Sequence, residues 1–167
     1  MLFNPGEKIF FKINTNLSLL GSSLFIACLA FSTFSYSKEI VISPGDDSQE
    51  RLQEAMILMS EGDTLVIKSG YYSFEDGLSL DVDNVIITGE GMDKTILDFK
   101  DQKSGAQGLL VTSDKVTLKD FAILDAKGDA LKVIGTKGIN MINLRTEWTG
   151  GPKSSNGAYG FYPVESE

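Results

Sequence analysis

The sequence predicts an all-β fold of the β-helix type, a solenoid in which short strands from successive turns stack on one another. Three observations carry this. Apolar residues recur at an offset of 22 or 23: Leu109 and Val111 return 22 residues later as Leu131 and Val133, and Val116, Leu118 and Phe121 return 23 residues later as Ile139, Met141 and Leu144, while Ile123 falls on Thr146. Moving back 31 residues, Leu109, Val111, Val116 and Leu118 fall on Leu78, Leu80, Val85 and Ile87, with the excess inserted between Gly89 and Gln107. Within each unit apolar and polar residues alternate, as in Leu78-Ser79-Leu80-Asp81-Val82, which is the period of a strand and not of a helix. A period in the twenties marks a repeat architecture, and two- or three-strand turns with this alternation stack into a solenoid.

Residues 1 to about 37 read as a secretory signal. Lys8 and Lys12 give a positive flank, Leu17 to Ala30 an apolar run, and Ser35-Tyr36-Ser37 small residues around a cleavage point. The run falls short of the ~20 apolar residues of a membrane span. The alternatives are an uncleaved anchor, or a lipoprotein cut before Cys28, whose mature chain would begin with the apolar stretch Leu29 to Phe34. Cleavage after Ser37 removes the one cysteine, so burial and backbone pairing must hold the mature chain. It also takes the net charge from -8 to -9, as Lys8, Lys12 and Glu7 are lost. So acidic a surface argues against nucleic acid and against an anionic membrane face, and disfavours acidic polymers unless a cation bridges the two.

The mature chain, 38–167, opens with a short strand, Ile40-Val41-Ile42, and a Pro44-Gly45-Asp46-Asp47 turn. A helix follows over about 47–60, with Asp47 or Ser48 as its cap and Leu52, Ala55, Met56 and Met59 as its apolar face. An amphipathic helix here can cover the open end of a solenoid, where core and unpaired strand groups would otherwise be exposed. Coils start at about residue 63. Thr64 to Ile67 is the first strand, and Ser69-Gly70-Tyr71-Tyr72 turns into a second. Leu78 to Val82, Val85 to Ile87 and Ile96 to Phe99 form the next coil. Aligning Leu97 and Phe99 with Phe121 and Ile123 puts most of the insertion in the loop Gly89 to Asp93 and the rest in 101–107. Further coils run over Leu109 to Leu124 and Leu131 to Thr146, with Gly at corners such as Gly128, Gly135 and Gly138. Thr149 to Gly157 is a long Gly- and Ser-containing loop; Ala158 to Tyr162 resumes a strand, and Pro163-Val164 begins a turn. No closing element follows before Glu167, which reads as a piece of a longer solenoid or a truncated gene product.

The helix followed by Glu61-Gly62-Asp63-Thr64-Leu65-Val66-Ile67 and Gly70-Tyr71-Tyr72 resembles the opening of right-handed parallel β-helix proteins of the pectin-lyase-like group. Val116 to Asp125, Asp129-Ala130-Leu131, Asn143-Leu144 and Trp148-Thr149-Gly150-Gly151 through Pro163-Val164 look like its branch of parallel β-helix repeat-containing proteins. The resemblance runs from about Val41 to Val164 and implies a right-handed parallel β-helix. It does not select a reaction, because the group holds lyases, hydrolases, epimerases and proteins without known activity. Its lyases pair Asp or Glu calcium ligands with an Arg or Lys base, its hydrolases use clustered Asp, and its mannuronan epimerases use a His, a residue this chain lacks.

The residues themselves offer three candidate sites. Asp81 and Asp83 share an outward strand face and, with Asp98 or Glu75, can present oxygen ligands to Ca²⁺; they also suit a plain solvated face. Asp125 and Asp129 flank Ala126-Lys127-Gly128 as an acid and base pair, or as turn residues. Arg145, Glu147 and Trp148 end a strand beside the long loop. With Tyr159 and Tyr162, Trp148 can stack on a sugar ring while Arg145 pairs with a carboxylate, or it can pack under its own loop. Asn140 and Asn143 suit hydrogen-bonded ladders between coils. The expected function is binding or processing of an extracellular or periplasmic polysaccharide by an exported protein. The alternative is a non-catalytic structural or adhesive module. A long face of aromatics and carboxylates favours the first, and one of Ser, Thr, Asn and Lys the second.

Overall fold

A computed structural model describes residues 37–167; the expected leader, with its expected cleavage point and Cys28, lies outside the described residues, Ser37 excepted. The elements are β1 (Glu39–Ile42), α1 (Ser48–Leu58), β2 (Thr64–Ile67), β3 (Gly70–Ser73), β4 (Leu78–Leu80), β5 (Ile86–Thr88), β6 (Thr95–Asp98), β7 (Gln107–Val111), β8 (Thr117–Leu124), β9 (Asp129–Ile134), β10 (Asn140–Glu147) and β11 (Phe161–Val164). Every strand pair among them is parallel.

The strands stack in three rows. Row one is β1, β2, β5 and the first halves of β8 and β10. Row two is β3, β6 and the second halves of β8 and β10. Row three is β4, β7, β9 and β11. The long strands β8 and β10 turn from row one to row two at residues in the left-handed region, Asp120 (φ 62°) and Asn143 (φ 49°). Short polar side chains tolerate that region because they bond locally. Here the bond runs between coils: Asn143 Nδ2 donates to Asp120 Oδ1 at 3.0 Å, the ladder expected of Asn143. One coil earlier Gly89 stands at the bend, where a β-carbon would overlap the Asp120 carbonyl oxygen.

Inward residues repeat in register. Leu65, Ile87 and Leu118 stack in row one, Tyr72, Leu97 and Ile123 in row two, and Leu78, Leu109 and Leu131 in row three, all buried. Phe74 and Phe99 stack between coils at 4.8 Å. Each such side chain contributes roughly 1.5–3 kcal/mol by leaving water. Met141 pairs with Leu118 as the repeat requires, but it is exposed on β10.

Three local expectations are corrected. Leu97 pairs with Ile123, not Phe121, so the offset between coils falls from 31 residues at Ile87 to 26 at Leu97 and 22 at Leu109. The insertion is therefore shared almost equally between the loops on either side of β6. A two-residue slip keeps every side chain on its face, so alternation alone could not detect it. Pro163 and Val164 belong to β11 and do not begin a turn: Pro163 pairs with Val133. Among the described residues β11 pairs only with β9, so no described strand is left without a donor by the missing N–H of Pro163. Finally, Asp47 occupies the N-cap position of α1 but makes no side-chain cap bond; its carboxylate pairs with Arg51 at 3.1 Å. The Ser48 hydroxyl instead accepts from the Gly45 N–H at 2.7 Å and closes the preceding turn.

Helix α1 buries Leu52, Ala55 and Met56, with Met59 just beyond it, and packs on β1, β3 and β4. Its polar side chains meet the free edge of row three. Gln53 Oε1 accepts from the Ser79 N–H (2.9 Å) and Gln53 Nε2 donates to the Ser79 carbonyl (3.0 Å), so an amide side chain pairs with β4 as a strand would.

Two predictions follow from this packing. A β-carbon at Gly128 would overlap the Ala106 carbonyl oxygen of the adjacent coil, whereas Gly135 (φ 65°) faces open space. Gly128→Ala should cost about 3 kcal/mol or more and Gly135→Ala only about 1 kcal/mol, read by urea unfolding. Buried Asp63 accepts N–H bonds from Ser60 (2.8 Å) and Lys38 (2.7 Å), tying β1 to the helix exit. Those two bonds hold its carboxyl below the ordinary range. Its stabilisation is therefore present above the unfolded value of ~3.9 and disappears as pH falls through the lower folded value. Asp63→Asn should lose about 1–3 kcal/mol at neutral pH and flatten the acid limb of the stability profile.

Candidate functional site

Row two carries chemistry on its outer side. Tyr72, Phe74, Leu97, Phe121 and Ile123 point into the core, so their neighbours in sequence point out. The register lines up Tyr71, Ile96, Ala122 and Arg145 in one outward column, and Ser73, Asp98, Leu124 and Glu147 in the next. Ile96, Ala122 and Leu124 form a small buried cluster separate from the main core. The face is thus an apolar floor, with polar groups at its two ends.

Arg145 stands at one end. It pairs with Glu147, lies 3.6 Å from Asp93 and donates to the Met92 carbonyl at 3.2 Å. Its Nε–H is buried without a hydrogen-bond acceptor. Both flanking carboxylates are ones an incoming anion would have to displace. At the other end Tyr71 is 58% exposed. Its phenol is held above its ordinary pKa, first by desolvation, then by the charge and hydrogen bond of Asp98 and by Asp125, with Arg145 acting in the opposite sense. Tyr71 therefore remains a proton donor at neutral pH. Sequence reasoning placed Tyr71 only in a turn; its signal was the outward position beside inward Tyr72, readable once strand β3 is aligned with β6.

The structure divides the other candidates among different places. Trp148, just past β10, is half-buried against the core, and its Nε1–H donates to the Ala126 carbonyl at 2.7 Å. Asp125 turns toward the loop: Oδ1 accepts from the Thr149 N–H (2.7 Å) and Oδ2 from the Thr149 hydroxyl (2.6 Å). Tyr159 and Tyr162 stack on each other at 4.5 Å. Tyr162 belongs to row three, with Lys132 Nζ 5.2 Å from its ring centre and Asp129 3.9 Å from that ammonium group. Asp81 accepts from the Thr112 hydroxyl (2.9 Å) and Asp83 from the Asp114 N–H (2.7 Å), so both link adjacent coils. Among the described residues no group of three or more His, Cys, Asp or Glu side chains is placed to hold a metal ion, so the donors present do not fit the expected Ca²⁺. No described helix is long and apolar enough to cross a membrane.

No family model matches the chain, and no curated protein matches it. Among solved structures it is similar to the PL6 family alginate lyase AlyGC, with a TM-score of 0.57 and 20% identity, over 78% of this chain and 18% of that one. A point mutant of the same lyase aligns at a TM-score of 0.44 and 18% identity, over 78% of this chain and 20% of that one. The chain therefore spans about a fifth of the length of the lyase it matches. The likeness is one of fold: mostly β, with parallel strands stacked as in that β-helix neighbour.

The charges around Tyr71 give a direct check. Asp98→Asn should bring its phenol back toward the ordinary value, and Arg145→Ala should push it further up. Ultraviolet difference titration, with Tyr71→Phe as the blank, reads both shifts.

Proposed function

We propose that this chain is an exported right-handed parallel β-helix, capped by α1, that binds or processes a polysaccharide along the outer side of row two. The observation that carries the reading is the pair of outward columns. An apolar floor of Ile96, Ala122 and Leu124 lies between a protonated phenol and a guanidinium flanked by carboxylates. Sugars present flat apolar ring faces edged with hydroxyls; the exposed Tyr71 ring can meet the first and the polar groups the second, while Ile96, Ala122 and Leu124, themselves buried, support them from beneath. Arg145 and Glu147 offer donors and acceptors at one end, and the Tyr71 hydroxyl at the other, with Asp98 buried. Support for the cap comes from α1 covering the core and from Gln53 pairing with the β4 edge. Support for a polysaccharide comes from the fold shared with an enzyme described as an alginate lyase. Row one is plain by comparison, with Thr64, Ile86, Thr117 and Asn140 in one outward column. Row two carries the exposed Tyr71 and the ion pair of Arg145 with Glu147, which support the glycan reading.

A glycan-array screen of the full chain, with and without calcium, tests the proposal. Binding to at least one polysaccharide is expected, weakened about tenfold or more by Arg145→Ala or Tyr71→Ala. An array blank under both conditions, or binding indifferent to both substitutions, overturns it.

A further inference from the structure

A second place on the molecule has the opposite electrostatic character from the chain as a whole. At the loop edge between rows two and three lies a cleft of about 740 Å³, lined among others by Lys100, Lys127, Lys153, Asp125, Trp148 and Thr149. The three lysines come from equivalent turns of three successive coils: Lys100 follows β6, Lys127 follows β8, and Lys153 lies in the loop after β10. Coils in such a stack rise ~4.8 Å each, so the three lysine-bearing turns lie along the coil axis.

The chain has 23 acidic residues against 15 basic ones, and a partner for each lysine would be easily supplied. Lys68, Lys103 and Lys132 have one, in Glu90, Glu75 and Asp129. Among the described residues no carboxylate lies within 4.0 Å of the ammonium groups of Lys100, Lys127 or Lys153, as is also true of Lys38, Lys94, Lys115, Lys119 and Lys137; what sets the first three apart is that they line one cleft. The one acid in the cleft, Asp125, has both oxygens engaged by Thr149. Lys153 folds back across its own loop, so that its Nζ lies against Gly150. The turns themselves are firmly built. Buried Gln102 donates to the Ser104 and Gln107 carbonyls and accepts the Lys127 N–H at 3.1 Å, while Trp148 is pinned to Ala126. Three lysines against one carboxylate leave the cleft with an excess of positive charge, which a bound anion would balance.

We propose that this cleft is an anion site that grips oxyanions carried on an acidic glycan strand, carboxylate or sulfate ester, as the strand crosses the loop edge. The net negative charge of the protein disfavours acidic polymers in general, and a local positive cleft lets one be held at a single place and in one direction. The proposal takes its carrier, a glycan, from the reading above, but it stands on different residues.

The test measures binding of the full chain to three oligosaccharides: a carboxylated one from alginate, a sulfated dextran and neutral dextran. At low salt at least one acidic probe should bind, more tightly than the neutral one, with an affinity that falls as salt is raised. Whichever acidic probe binds names the oxyanion. Combining Lys100→Gln, Lys127→Gln and Lys153→Gln should weaken that binding about tenfold or more and flatten its salt dependence. An equal loss of charge away from the cleft, by Lys115→Gln and Lys137→Gln in the turns between rows three and one and Lys119→Gln on β8, should leave it within about twofold. Thermal unfolding verifies that both triple variants are folded. Acidic-probe affinity unchanged in the first triple variant, or equally reduced in the second, overturns the cleft. So does tighter binding of neutral dextran, though that result would leave the broader glycan reading standing. If no probe binds, the cleft falls, and the array decides the broader reading separately.

Discussion

The structure depends on the spacing of parallel strands. Neighbouring backbones sit ~4.8 Å apart when their N–H and C=O groups pair, and every coil must keep that distance through its corners as well as its strands. Where two corners cross, there is no room for a side chain. Gly89 stands against the Asp120 carbonyl, Gly128 against Ala106 and Gly157 against Gly128, each so close that a β-carbon would overlap backbone. At the bend between rows one and two the next two coils meet the same constraint by the opposite means. Asp120 and Asn143 adopt left-handed backbone and bond to one another from coil to coil. The apolar core can then stack in register because the corners do not force the coils apart.

The same spacing determines what chemistry can be assembled. Residues some 25 apart in sequence become neighbours, one per coil, so a site here is a column across strands and not a motif along one. Tyr71, Ile96, Ala122 and Arg145 share such a column; Lys100, Lys127 and Lys153 share a turn. A chain that is acidic in sum can thereby hold an arginine between two carboxylates on one face and three unpaired lysines at one edge. Net charge describes the surface from a distance, whereas a ligand meets one column at a time.

Much of this was legible in the residues, and the exceptions have physical causes. The pairing of Leu109 with Leu131 and Leu78 follows from alternation plus period, since burial demands that like stack on like; Leu118 pairs with Met141 at the same period although Met141 is exposed. The partner of Leu97 was misplaced by two residues because alternation is blind to a shift of two. Pro163 looked like a turn residue because its missing N–H matters only if a strand lies on both sides. Arg145 and Glu147, expected at the end of one strand beside the long loop, form an ion pair on β10. Trp148 and Tyr162 were expected side by side, but the loop between them carries the chain from row two to row three.

The sequence by itself determined the class of fold, the inward and outward assignment of most strand residues, and the acidic character of the chain. These properties are local, or repeat at a regular interval, and a one-dimensional string records them directly. Only the tertiary structure decided which outward residues meet across coils, where the insertion divides, and which charges are left without partners. Those depend on how many residues each corner consumes, and a corner's length changes the register of everything stacked above it without leaving a mark on the strands it joins.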